Sequence, residues 1–236
     1  MQSPHLPRCA RWCPFDQLVG RAALLVVCAC TATSASAQQR AHITVRTYNT
    51  YNVSRKELSA AFKSAGDLLA SVDVDVRWRE CRVREDRDRV RDGCIDPLAP
   101  DELIVRIVRT PHGVQAIDEL GFSYVDSVRR TGTLATVFAD RVHALASQRD
   151  AGASVLLGRA MAHEVGHLLI GSTDHSQDGL MRQRWTVRSR LLDQGPQWQF
   201  SAADAAAIRS GAAGRAAERV MLALQTPPRS GAVSTR

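Results

Sequence analysis

Apolar positions along this chain change period several times, and each change marks a boundary. In 42–48 the residues Ile43, Val45 and Thr47 alternate on one face, which predicts a strand. Ser54 then stands as an N-cap with Glu57 three residues later, the pattern of a capping box. Behind it Leu58, Ala61, Phe62, Ala65, Leu68 and Leu69 keep helical spacing. Val72, Val74, Val76 and Trp78 alternate again and predict a second strand. A third strand is expected over 102–109, a short extended piece or loop over 121–126, and a fourth strand over 132–138. Residues 140–149 suit a helix leading into a longer one at 154–170. The predicted order is β-α-β-β-β-α, and its strand–helix–strand opening favours a right-handed crossover between parallel neighbours. Further helices are expected at about 201–210 and 212–224, then a loose tail over 226–236 with paired prolines and small polar residues.

Composition divides the chain. Arg8, Arg11 and Arg21 precede an apolar run at 22–30, and Ala35-Ser36-Ala37 offers a cleavage site, so 1–37 is expected to be a signal peptide. The apolar run is too short for a stable membrane span. The protein is therefore expected to be secreted or periplasmic, with lipid anchoring at Cys30 as the alternative. Residues 38–225 are enough for one domain with a substantial core. Four of the six cysteines leave with the leader. Cys81 and Cys94 remain, and in an exported chain they predict one disulfide, with two free thiols as the alternative.

The net charge is +7, and +5 from residue 38 onward, where 28 basic side chains face 23 acidic ones. Seven arginines fall in 77–92, but Glu80, Glu85, Asp86, Asp88 and Asp92 are interleaved with them. Such a mixed run predicts a solvated loop with internal ion pairs. A nucleic-acid surface would want an unmixed basic stripe with aromatics, and no nucleic-acid partner is expected.

Residues 163–175 carry the chemistry: His-Glu-Val-Gly-His-Leu-Leu-Ile-Gly-Ser-Thr-Asp-His. On a helix His163 and His167 share a face and can present two imidazole nitrogens to one metal ion. Glu164 projects about 100° further round, within reach of a water on that metal. Apolar neighbours from Ala160 to Ile170 suit a buried helix, and Gly171 suits its C′ position. His175 can supply a third nitrogen and Asp174 an oxygen in its place. Three neutral ligands, an open position and a general base suit catalytic Zn2+. A thermolysin-like arrangement would need a glutamate on a later helix, and only Glu218 follows His167.

This cluster, with Gly179-Leu180-Met181 downstream, resembles the metzincin clan of zinc peptidases, whose pattern is His-Glu-x-x-His-x-x-Gly-x-x-His followed by a methionine turn. The likeness is nearest to matrixins and adamalysins. Here the motif is lengthened by one residue before Gly171 and one more before the third histidine, and Thr173 falls at the usual third-ligand position. The resemblance implies His163, His167 and His175 as zinc ligands, Glu164 as general base and Met181 as the turn methionine. Asp178 is a candidate acceptor for the ring N–H of a ligand histidine, or a plain turn residue before Gly179. Trp185 is expected to cover a face of the core.

The implied fold class is mixed α+β or α/β, a metzincin-like zincin fold. Its features would be a twisted mixed sheet with an antiparallel edge strand, a long active-site helix and a helical C-terminal part. By the same resemblance 132–138 is the candidate edge strand along which an extended peptide docks, with ordinary interior sheet as the alternative. The expected function is a secreted zinc metalloendopeptidase, which cleaves a peptide or protein by a zinc-bound water activated by Glu164. The alternative is a zinc-binding but non-catalytic peptide-binding module.

Overall fold

A computed structural model describes residues 40–82, 94–113, 119–148, 152–185 and 195–225. The predicted signal peptide 1–37, the lipidation candidate Cys30, most of the arginine-rich loop and the predicted tail 226–236 lie outside the described residues. The described residues form one compact unit.

Five strands make one mixed sheet: β1 (Ala41–Asn49), β2 (Val74–Cys81), β3 (Glu102–Val108), β4 (Gly121–Asp126) and β5 (Thr131–Phe138). Their spatial order is β2-β1-β3-β5-β4. The strand–helix–strand opening does yield parallel neighbours: β1 pairs parallel with both β2 and β3. β3 pairs parallel with β5, and β4 alone runs antiparallel.

The expectation of an edge strand at 132–138 is overturned. β5 is interior, flanked by β3 and β4, and the antiparallel edge is β4. The physical reason lies in burial. Ala135, Thr136, Val137 and Phe138 are consecutive buried residues, the signature of a strand covered on both faces. β4 carries Ser123, a Tyr124 that is 57% exposed, and an exposed Asp126, which suit a solvated rim. The extended piece at 121–126 is thus a full strand. It joins β5 through 127–130, where the Asp126 carboxylate accepts from the backbone N–H groups of Val128 and Arg129, both at 3.0 Å.

Four α-helices accompany the sheet among the described residues: α1 (Arg55–Ala70), α2 (Ala139–Gln148), α3 (Ala153–Ile170) and α4 (Ala202–Gln225). Ser54 caps α1, its hydroxyl accepting from Glu57 N–H at 3.2 Å. The reciprocal half of the expected capping box is replaced by a longer contact. The Glu57 carboxylate meets His143 Nε2 at 2.7 Å and so ties α1 to α2. The two expected C-terminal helices merge into the single α4, because Gly211 continues the helix. It does so at a close approach: a Cβ there would lie 1.8 Å from the Leu169 carbonyl oxygen of α3.

The core lies between sheet and helices. Ile43, Val45, Leu103, Val105, Ile107, Ala135 and Val137 supply the sheet side. Leu58, Ala61, Leu69, Leu156, Leu157, Met161 and Leu168 supply the helical side. α3 is buried almost all round, from Leu156 to Leu169, as the apolar neighbours of the motif require.

Cys81 and Cys94 form the expected disulfide. The chain beyond it is pinned by a buried cation. Arg46 is 3% exposed and donates Nη1 to the carbonyls of Asp96 (2.7 Å) and Cys94 (3.3 Å). Its Nη2 pairs with the Glu102 carboxylate, which also faces Arg79 at 3.4 Å and accepts from Ala99 N–H at 3.1 Å. Burial alone would raise the Glu102 carboxyl, but the Arg46 hydrogen bond, the Ala99 N–H and the two cations outweigh it and leave it below its ordinary value of 4.5. A carboxylate depressed on folding stabilises the native state above its unfolded range, and that contribution is lost as pH falls through the folded value. Thermal melts should therefore show stability declining as pH drops below about 4.5. Glu102→Gln should lower stability by roughly 3 kcal/mol at neutral pH, because Arg46 is left buried without its counter-charge. The same variant should show a flatter acid limb.

Candidate metal centre

Helix α3 delivers His163 and His167 to one face, one turn apart. Both are buried, at 7% and 3% exposure. His163 Nδ1 lies 2.8 Å from the Leu180 carbonyl oxygen, and His167 Nδ1 lies 2.8 Å from that of Ser172. A carbonyl can only accept, so each Nδ1 carries the ring proton and each Nε2 of a neutral ring presents a lone pair. Those two Nε2 atoms face each other at 3.1 Å. Two lone pairs at that distance have no proton to share, and a cation between them resolves the conflict. The separation is close to the roughly 3.3 Å expected for two nitrogens about 2.05 Å from one ion at a tetrahedral angle.

His175 completes the set. The ligand atoms of His163, His167 and His175 all lie within 4.8 Å of one another, so the three could hold a metal ion. The His175 ring stacks on His163 at a centroid distance of 5.4 Å and stands edge-on to His167 at 4.8 Å. Burial pushes His163 down to about 3, with the neighbouring His167 adding to the effect and the Leu180 carbonyl opposing it. Burial likewise lowers His167 and His175. All three rings are therefore neutral at pH 7, the form in which imidazole binds a metal.

Asp174, the alternative ligand, is turned to other work. Its carboxylate accepts from the Ser172 hydroxyl at 2.7 Å, and its N–H donates back to that oxygen at 3.0 Å. Asp178 is exposed and is not the acceptor for either ring; the backbone carbonyls of Leu180 and Ser172 take that role. Glu218 is an exposed residue of α4.

The segment after α3 is fastened from two sides. Gly171 ends the helix in the left-handed conformation, φ 72°, and donates its N–H to the His167 carbonyl at 2.9 Å. Ser176, next to His175, donates its N–H to the Met181 carbonyl at 3.0 Å and its hydroxyl to Asp204 of α4 at 2.7 Å. Met181 is fully buried beneath α3, so close that a Cβ on Gly166 would lie 2.7 Å from its sulfur. Trp185 meets His163 edge-on at 5.9 Å and Trp198 at 5.2 Å, so it covers the site as well as the core.

Glu164, one residue on from His163, points toward β4. Its Oε2 accepts from the Ser123 hydroxyl at 2.8 Å, and its Oε1 lies where a Cβ on Gly121 would approach to 2.8 Å. Burial pushes its carboxyl up to about 8; Ser123 opposes the rise and Glu119 adds to it. A positive charge held by the histidines would draw it back toward the ionised form. Beside these groups opens a cavity of about 650 Å3, bordered by Glu119, Phe122, Leu145, Ala160, His175 and Trp185.

Ser123, Gly121 and Asp204 are absent from the sequence-based set of site residues. A serine on a strand carries no signal of its own, and Asp204 three residues after Ser201 signals only a helix start. Only the pairing of β4 with β5 and the packing of α4 bring them here.

No family model matches the chain. No curated protein matches it either. Among solved structures it is similar to a zinc-dependent peptidase from Methanocorpusculum labreanum, at 16% identity and a TM-score of 0.47, over 70% of this chain and 99% of that one. It is also similar to an archaemetzincin from Methanopyrus kandleri (14% identity, TM-score 0.47, 72% of this chain and 95% of that one). Metalloproteinase-II from Bacteroides fragilis overlaps at 12% identity and a TM-score of 0.46, over 75% of this chain and 55% of that one. The functional reading rests on the side chains of the site, not on these likenesses.

Three neutral imidazoles form a donor set suited to zinc. Loss of a ligand should cost more zinc affinity than the roughly 10–100-fold typical of losing an outer-shell partner. In competition with a chromogenic chelator, His175→Ala should therefore weaken zinc binding by over about 100-fold. Asp174→Ala should stay within about tenfold of the parent. The opposite ranking would make Asp174 the ligand.

Proposed function

We propose that this protein is an exported zinc metallopeptidase of metzincin type that cleaves peptide bonds within proteins or peptides. The observation that carries the proposal is the pair of Nε2 lone pairs facing each other at 3.1 Å, with the Ser123-held Glu164 on the adjoining residue. In this reading His163, His167 and His175 hold the metal, and 38–225 is the catalytic domain. Zinc bound there would supply Lewis acidity to polarise the scissile carbonyl.

The chain's own groups do the rest. Glu164 takes the proton of the attacking water on its carboxylate and passes it to the leaving amine. Ser123 fixes the direction of that carboxylate by donating to Oε2. Gly121 leaves the space that Oε1 occupies. The free edge of β4, rather than β5, offers unpaired backbone groups to which an extended substrate can add as a further strand. The antiparallel edge and the cavity both adjoin the histidines, so a bound chain would pass the metal.

Export follows from the sequence of 1–37, with delivery to the periplasm or the exterior and Cys30 lipidation as the variant form. No helix among the described residues is long and apolar enough to cross a membrane.

A diverse unstructured peptide library tests the proposal. The zinc-loaded protein should cleave it, cleavage should cease on chelation and return with zinc, and Glu164→Gln should abolish it while retaining zinc. Zinc binding with no cleavage of any peptide would leave a non-catalytic binding module instead. Ser123→Ala should lower kcat by about tenfold with KM and zinc content unchanged, the mark of a group that orients the base. An equal loss of zinc would make Ser123 a structural residue only.

A further inference from the structure

The cavity beside the histidines holds several charges, and all but one are already engaged. Arg141 donates Nη1 to the Glu119 carbonyl at 2.9 Å and lies 4.9 Å above the Phe138 ring. Arg184 also has its interactions made. Glu164 is held by Ser123, and the three imidazoles converge on one another. Glu119 differs. It is exposed at the start of the edge strand, it borders the cavity, and among the described residues its carboxylate has no hydrogen bond or ion pair. It lines the same cavity as His163, Glu164, His167 and His175. An uncommitted carboxylate therefore stands at the mouth of the cavity, beside the residue that leads into β4.

The geometry points to Glu119 as a specificity-determining residue that receives a positively charged group of the substrate, either a lysine or arginine side chain or a free terminal amine. This inference rests on the peptidase reading and narrows it to a substrate class. A cationic group approaching three histidines that hold a divalent ion meets like-charge repulsion. A carboxylate at the entrance offsets that repulsion and steers the group to one position. Neutral and acidic substrates gain nothing from it.

The test uses peptide hydroxamates, which bind through the metal, titrated calorimetrically into the zinc-loaded protein. One series carries lysine, norleucine or glutamate at each residue next to the hydroxamate, with acetylated N-termini; a second carries norleucine with a free N-terminus. At low ionic strength a cationic probe should bind about fivefold tighter than its neutral counterpart, and the margin should shrink as salt rises. Preference within the first series assigns the site to a side chain, and preference for the free amine assigns it to the chain terminus. Glu119→Gln should remove the preference and leave the affinity for the neutral probe unchanged, while Glu119→Asp should retain part of it. Equal binding of cationic and neutral probes, or a preference that survives in Glu119→Gln, overturns the inference and leaves the peptidase reading standing. Failure of every probe to bind overturns both.

Discussion

Two imidazoles on a helix that is buried on every side must each find a hydrogen-bond acceptor for Nδ1–H. Most of what surrounds the site follows from that demand. α3 has no solvent-facing stripe from Leu156 to Leu169, so His163 and His167 cannot turn to water. Their partners are the carbonyls of Leu180 and Ser172, from the segment that folds back beneath the helix after Gly171. A carbonyl acceptor fixes the tautomer, and the tautomer aims both Nε2 lone pairs inward. The histidine cluster is thus shaped by the backbone from His163 to Leu180, not by the histidines alone.

That returning segment cannot hold itself. Asp204 at the start of α4 receives the hydroxyls of Ser176 and Ser201, and Leu180 donates its N–H to the Gln199 carbonyl at 2.7 Å. Arg182 bonds the carbonyls of Gly179 and Gln197 and lies over the Trp198 ring. Asp204 of α4 thus ties the residue after His175, and Gln197 and Gln199, just before α4, tie the segment that carries the Leu180 carbonyl. On the opposite side β4 presents Ser123 to Glu164. Glu164 and the histidine cluster are consequently clamped between an edge strand and a helix far apart in sequence.

Much of the candidate site is legible in the sequence. His163, Glu164, His167, Gly171, His175 and Met181 lie within nineteen residues, and helical spacing alone puts the first three on neighbouring directions. Gly166 weakens a helix by about 1 kcal/mol relative to alanine, but the Met181 sulfur packed against it leaves no room for a Cβ. The resemblance placed the edge at 132–138, and a strand's sequence does not say how many neighbours it has. β5 and β4 differ in burial of their second faces, and that depends on what the rest of the sheet supplies. The capping box failed in its second half for a related reason: Glu57 had a better partner in His143, eighty-six residues away.

What the sequence by itself determined is local and periodic. Spacing set the histidine pair, the helix end at Gly171, the parallel β1–α1–β2 opening and the disulfide partners, because each depends on neighbours in the chain or on the absence of any other candidate. The tertiary structure decided which strand lies at the edge, that His175 and not Asp174 joins the cluster, that two carbonyls hold the rings, and that Ser123 holds the glutamate. Those choices are made by hydrogen bonds and close contacts between segments as much as 41 residues apart. No pattern of periods along the chain records them, since a donor in one segment is specified only when folding brings its acceptor within about 3 Å.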